Sequence, residues 1–515
     1  MKNVSFLVVI LLLAYGVSAQ QVEPARYEVI RWDKDQECRF EPLGDEGGML
    51  VYETDQTDKD KSRLWNFVTL DSSFYELRSD LIPLSNKMDI LDSASDDDYV
   101  VFLFSSDKSR KSETADFNVV CYHRQDGTFS SFGEKLPDKS LILSAELLDG
   151  VLMLAVNSKA GNGFLLFYDL QSNVSKKVTP SSSNSFVLFQ TEAFAKEHAF
   201  VVAAKEYQNK FFNATSFWVY SRSGNLMGSY RYDNHDGVAL GRMCFGFDAN
   251  RKLTVYGTLE RESAKKVKLE GVLNDFDKIS IGVVWLKFDG SMDTKAYLFK
   301  DMPEIELALK ASDRVRVREE RIRLRQGKKK EKGEIAFQFL TPRLVKYDDL
   351  SVFCAEAFVP EYHTETRMDY GFYGMYPYSY TVFDGYDFIS DILLAFDAEG
   401  NLRWQTSVKF ENELCYDLTP HAGEGVCHDE LVVASSYHNR LRYVVFDKDG
   451  NLLLPLQEEK IDPLFGADYI EDEFFAEVKP WYDSRFWIYG SQIMQNSILP
   501  KSRRTIYYLQ KVQFD

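Results

Sequence analysis

The chain has 515 residues, of which 45% are apolar and 14% aromatic. That is enough for two or three ordinary domains or one large repeat fold with a packed core. With 61 basic against 79 acidic residues and a formal charge of −18, it lacks the basic face that nucleic-acid binding needs.

Residues 1–19 read as an export signal: Lys2 supplies the positive end, 4–13 the apolar stretch, and Val17, Ser18 and Ala19 a small-residue cleavage site before Gln20. The stretch is too short to span a bilayer, and no later run approaches the ~20 apolar residues a span requires. The expected product is an exported chain, periplasmic, outer-membrane-associated or extracellular, with no transmembrane span.

From there one theme recurs. A first strand at 27–33 precedes a pair of apolar runs at 48–53 and 64–70, closed by a turn at Asp71. The pair returns at 99–104 and 117–122, at 151–156 and 163–168, at 199–203 and 216–220, and at 253–256 and 281–288. From the second pair on, each second run ends in an aromatic followed by an Asp, Asn, Ser or Gly turn, a hairpin signal. A sixth copy runs through 392–404, a seventh through 441–451, and the C-terminus carries an eighth without its last strand. The terminal aromatics are spaced by 46 (Tyr122 to Tyr168), 52 (to Tyr220), 68 (to Phe288), 108 (to Phe396) and 50 (to Phe446). A period near 50 with about four short strands per unit predicts an all-β chain folded as a single β-propeller, with eight blades and seven as the alternative. Continuous apolar runs fit strands covered on both faces by neighbouring blades; an outer-membrane barrel would alternate. The orphan strand at 27–33 is expected to supply the strand missing from the last copy, hiding both edges.

The long interval holds two insertions. Residues 302–334 break the β pattern: Pro303, Glu304 and Glu306 suit a helix start, and a basic stretch follows. A helix packed on the rim through Ile305, Leu309 and Ile322 is expected, and a contact arm for an acidic partner is the functional reading. Residues 365–388 read as an aromatic-rich loop, because Gly371, Gly374, Pro377 and Gly385 interrupt regular structure. Tyr370, Phe372, Tyr373, Tyr376, Tyr378 and Tyr380 are its candidate binding residues, since rigid amphipathic rings concentrate at contact sites and stack on sugars. The competing reading is a long β-hairpin over the rim with its tyrosines paired across strands.

Cys121, Cys244 and Cys354 sit in apolar runs as small buried side chains. Cys415 and Cys427 flank a loop, and a disulfide between them is allowed in an oxidising compartment. Around them lie His421, Glu424, His428, Asp429 and His438. Soft and imidazole ligands in one segment could hold zinc, but no Cys-x2-Cys pair is present and adjacent Cys427 and His428 point apart on a strand, so no metal is expected. The acidic run 92–98 lacks the spacing of a calcium loop and reads as a solvated blade connection. No nucleophile elbow, phosphate loop or His-Glu-x-x-His occurs, so neither catalytic residues nor a cofactor are assigned.

Residues 333–339, Ala355 to Tyr362 and 391–404 resemble a group of uncharacterised secreted β-propeller-like proteins of Bacteroidota-type bacteria, over roughly 302–410. The resemblance implies an exported bacterial propeller and carries over no catalytic residue. Ala395, Asp397, Gly400 and Trp404 are also similar to the repeat of quinoprotein-type (PQQ-like) propellers, with one residue missing between Asp and Gly. Some propellers of that kind are cofactor-free scaffolds for envelope-protein assembly. Trp404 itself is read as blade packing. The expected function is a non-enzymatic binding or scaffold module for envelope protein or glycan. The alternative is a propeller hydrolase or lyase acting on extracellular polysaccharide or peptide.

Overall fold

A computed structural model describes residues 25–514 apart from 34–35, 107–115, 138–139, 159–160, 209–210, 236, 262–278, 306–336, 341, 372–373, 417 and 499–501. The expected export signal, and the insertion beyond Ile305, lie outside the described residues. What is described of that insertion is one helical turn at 303–305, with Met302 and Ile305 buried.

The strands form eight antiparallel sheets in chain order around a central axis. Blades 1 to 7 begin with inner strands Cys38–Pro42, Asp89–Ser95, Ser140–Leu148, Ser185–Phe194, Val238–Phe247, the pair Gln338–Phe339 and Arg343–Tyr347, and Ala422–Cys427. Blade 8 begins with Asp468–Pro480, and its outermost strand is Arg26–Ile30, paired from Arg26↔Gln510 to Ile30↔Ile506. The expected ring closure by the first strand is therefore observed. The fold is an eight-bladed propeller.

The core is distributed rather than central. Among the described residues, eight apolar clusters each fill one seam between adjacent blades. This explains the continuous apolar runs: Val100 to Phe104 and Val151 to Val156 are buried on both faces, whereas fourth strands such as Val174–Val178 face solvent. Edge-to-face ring pairs lock the seams, for example Trp65 on Phe104 and Phe67 on Phe102.

The recurrent turns have a common mechanism. Asp397 Oδ1 accepts the N–H groups of Glu399 and Asn401, while Gly400 takes a φ of +74°. Asp447 and Gly450 repeat the arrangement one blade later. Each glycine lies against an aromatic of the preceding blade. A Cβ on Gly400 would come 2.1 Å from Trp285, and one on Gly450 2.7 Å from Trp404. Trp404 Nε1 also donates to the Lys448 carbonyl at 2.8 Å, so Trp404 is a blade-packing residue, as expected.

Two expectations are corrected. Residues 365–388 do not form a loop: Leu350–Gly371 and Gly374–Phe396 are strands of 22 and 23 residues, paired almost to the tip. The glycines did not break the strands, because Gly371 and Gly374 sit at the turn and Gly385 (φ +136°) sits at a register shift. Second, Cys415 and Cys427 are not joined. Cys415 packs in the blade 6–7 seam and Cys427 in the blade 7–8 seam. The acidic run 92–98 is likewise divided: Asp92 lies within inner strand Asp89–Ser95, and only 96–98 turn.

Candidate functional site

Antiparallel blades put their turns on one face of the ring and their longer connections on the other. On the connection face the second and third strands of blade 6 continue outward as an arm. Pairing with the inner strand stops at Phe358↔Gln338, and pairing with the outer strand stops at Tyr386↔Cys415. Beyond these points, among the described residues, the two arm strands pair only with each other, from Glu361↔Gly385 to Gly371↔Gly374.

Tyr378 and Tyr380 share one face of the arm, with rings 6.1 Å apart and nearly parallel. Tyr378 is 54% exposed. Tyr380 donates to Glu365, and Arg367 lies 5.1 Å over its ring. His363 bonds Asp384 and Glu365 on the same side, and these hydrogen bonds raise its imidazole above the usual range. The opposite face presents Tyr362 and Met368, both more than half exposed, with Tyr362 packed on Phe383 at 5.3 Å. Of the remaining candidates, Tyr370 and Tyr376 lie on the paired strands, their side chains outside the described residues, as are Phe372 and Tyr373 altogether. The arm thus brings two of the candidate residues, Tyr378 and Tyr380, together on one face of a single strand.

A second group lies in the seam between blades 6 and 7. Arg343, Glu356 and Asp391 come from three adjacent strands of blade 6 and face Glu424 and His421 of blade 7. The Arg343 guanidinium grips both oxygens of Glu424, with Nε–Oε2 at 2.7 Å, and reaches Glu356 at 3.0 Å. Glu356 also accepts the backbone N–H groups of His421 and Ala422. Burial, only partly offset by Arg343, pushes the Glu356 carboxyl up to about 7. Burial, and then Glu424, raise the Asp391 carboxyl well above its ordinary value. His421 is 1% exposed with neither ring nitrogen hydrogen-bonded, and burial lowers it to about 4. It is therefore a neutral ring packed edge-on against Phe388 at 4.1 Å.

Of the segment noted around 415–438, the structure brings only His421 and Glu424 into this group. His428 and Asp429 occupy a left-handed turn at the far end of their strand, and His438 sits in another. Arg343, Glu356 and Asp391 escaped sequence reading. The signal for the two acids is a single carboxylate inside an apolar run, as in Ala355-Glu356-Ala357 and Asp391 before Ile392.

The other channel carboxylates share one role. Each inner strand has an edge facing the axis, and neighbouring side chains supply what that edge lacks. Glu37 accepts the Ile90 N–H at 2.8 Å, and Asp92 that of Ala145 at 3.0 Å while paired to Arg39 at 2.8 Å. Glu41 accepts the Ser93 and Ser95 hydroxyls, and Glu146 that of Thr191. Burial, followed by repulsion from Glu146, raises Glu192 to about 7; burial likewise takes Glu146 to about 7. A cavity of about 610 Å³ opens beside the channel at the blade 8–1 seam. An acidic groove of about 820 Å³ runs past Asp96, Asp126 and Asp149 on the turn face. Among the described residues, no group of three or more His, Cys, Asp or Glu is placed to hold a metal ion, and no helix is long and apolar enough to cross a membrane.

No family model and no curated protein sequence matches the chain. Solved structures that resemble it include the β-propeller domain of the Trilobed protease from Pyrococcus furiosus, at 7% identity and a TM-score of 0.35 over 83% of this chain and 98% of that one. Sqt1 of Saccharomyces cerevisiae gives 8% identity and 0.39 over 83% and 97%. Prolyl oligopeptidase B from Galerina marginata gives 7% and 0.38 over 89% of this chain. The chain spans 56% of the length of that oligopeptidase. Likeness this distant bears on neither activity nor ligand.

Proposed function

We propose that the protein is an exported, non-catalytic binding scaffold of the cell envelope that engages a protein partner through the blade 6 arm. One observation carries the reading: the arm is a two-stranded ribbon with no other strand beside it among the described residues, and it bears exposed Tyr362, Met368 and Tyr378. A two-stranded ribbon is marginal in water by itself. Open strand edges and exposed rings are what strand addition by a partner uses. The channel carboxylates support the same reading, since their oxygens serve strand edges and neighbouring hydroxyls.

A second reading, an axial-face hydrolase or lyase, is favoured by the convergence of Arg343, Glu356, Asp391, Glu424 and His421. Against it, Glu356, Asp391, Glu424 and His421 are buried and only Arg343 is half open. The test replaces residues 362–384 by Asn-Gly, which closes the paired Glu361 and Gly385 with a two-residue turn. Quantitative co-purification from envelope fractions should lose the partners retained by the wild type. Unchanged recovery from a folded, arm-shortened protein would reject the reading.

A further inference from the structure

The cavity at the blade 8–1 seam arises from a mismatch of strand lengths. Blade 1 begins with a five-residue inner strand, Cys38–Pro42, set beside the thirteen-residue inner strand of blade 8, Asp468–Pro480. The shorter strand cannot cover the longer one, and about 610 Å³ is left between them and the channel. That lies within the ~300–1,000 Å³ of small-ligand sites.

Its lining has a definite chemistry. Phe475, Glu477 and Lys479 alternate onto the face of the blade 8 strand that turns toward blade 1, and Trp487 and Tyr489 of the next strand stand behind them. Phe475 and Tyr489 are half-buried and meet edge to face at 5.5 Å, forming an aromatic wall. Both cations at the site are already paired: Lys479 Nζ lies 2.9 Å from Glu477, and Arg39 Nη2 lies 2.8 Å from Asp92, while Glu41 accepts the Ser93 and Ser95 hydroxyls and Glu37 the Ile90 N–H. Beyond the bond to Glu477 the Lys479 ammonium keeps N–H donors, and Glu477 keeps acceptor lone pairs.

We propose that this cavity binds a short, uncharged oligosaccharide. A multiply charged anion would meet Glu37, Glu41 and Glu477, and a cationic peptide would meet Lys479 and Arg39. An apolar ligand would strand the paired ions without water. A neutral sugar offers hydroxyls that both donate and accept, and C–H faces that pack on Phe475 and Tyr489. This site is separate from the arm and stands whether or not the arm takes a protein partner.

The full-length mature protein on a glycan array carrying neutral, uronate-bearing and sulfated oligosaccharides tests the proposal. The expected result is binding of at least one neutral glycan, followed by a loss of affinity of tenfold or more in titration calorimetry for both Phe475→Ala and Lys479→Met. Lys479→Met is the control for folding, because Lys479 is largely on the surface of the cavity. The arm-shortened protein should bind within twofold of wild type. The proposal is overturned if no neutral glycan binds, if only charged glycans bind, or if folded Lys479→Met and Phe475→Ala bind as tightly as wild type. Loss of the sugar on arm shortening alone would move the site to the arm and overturn it as well.

Discussion

Replacing Arg343 with methionine removes the cation that pairs with Glu356 and Glu424 in the blade 6–7 seam and leaves both carboxyls buried. Breaking a buried ion pair from one side costs about 3–5 kcal/mol; because Arg343 is half open to the channel, the lower end, about 3 kcal/mol, is expected. For a chain of 515 residues the unfolding entropy is about 1 kcal/mol/K, so the melting temperature should fall by about 3 °C at pH 8. The loss should depend on pH. Glu356 titrates near 7, above its ordinary 4.5, so its contribution to stability is complete below 4.5 and fades as pH rises through 7. Without Arg343 its carboxyl loses the charge that lowers it and rises further, which extends the loss to higher pH. The deficit against wild type should therefore shrink by at least half at pH 5, where Glu356 is protonated in both proteins. His421 contributes with the opposite sign: depressed to about 4, its contribution is intact above 6.5 and lost as pH falls through 4. It is present in both proteins and cancels in the difference. Scanning calorimetry of Arg343→Met and Arg343→Met/Glu356→Gln at pH 5 and 8 is the assay. The double variant should recover much of the deficit at pH 8. A deficit equal at the two pH values, or no recovery by Glu356→Gln, would refute the buried-charge argument.

Three further outcomes are expected. Gly450→Ala should cost about 2 kcal/mol, from an unfavourable positive φ and a collision with Trp404. A double-mutant cycle with Trp404→Ala in urea melts should show non-additivity, since only the collision is relieved. Val29→Asp buries a charge in the seam that closes the ring. It should lower the unfolding free energy by about 3 kcal/mol and expose Arg504–Gln513 to limited proteolysis, and an unchanged cleavage pattern would count against closure by the first strand. Glu192→Gln should flatten the pH dependence of stability between about 5 and 8. Its carboxyl is raised to about 7 by burial and Glu146, so the wild type should lose stability as pH rises through 7; equal urea midpoints for the two proteins across that range would contradict the assignment.

The sequence by itself determined the repeat: apolar runs at a period near 50 closed by aspartate, asparagine, serine or glycine turns, and a first strand without a neighbour. These are local signals, set by strand burial on both faces and by turn conformations that few residues adopt. It also located the arm by composition, and named Tyr378 and Tyr380. What it could not decide was the state of that segment, because the glycines that usually break strands here fall at a turn and at a register shift. Whether Cys415 and Cys427 meet was equally undecidable from their spacing, since a strand of blade 7 runs between them and carries them into different seams. Arg343, Glu356, Asp391 and Glu424 are drawn from four strands spread over 82 positions of the chain. Only the stacking of blade 7 on blade 6 brings them together and excludes water. The cavity at the blade 8–1 seam is tertiary in the same sense: it exists because strands from opposite ends of the chain, of unequal length, were made neighbours when the ring closed.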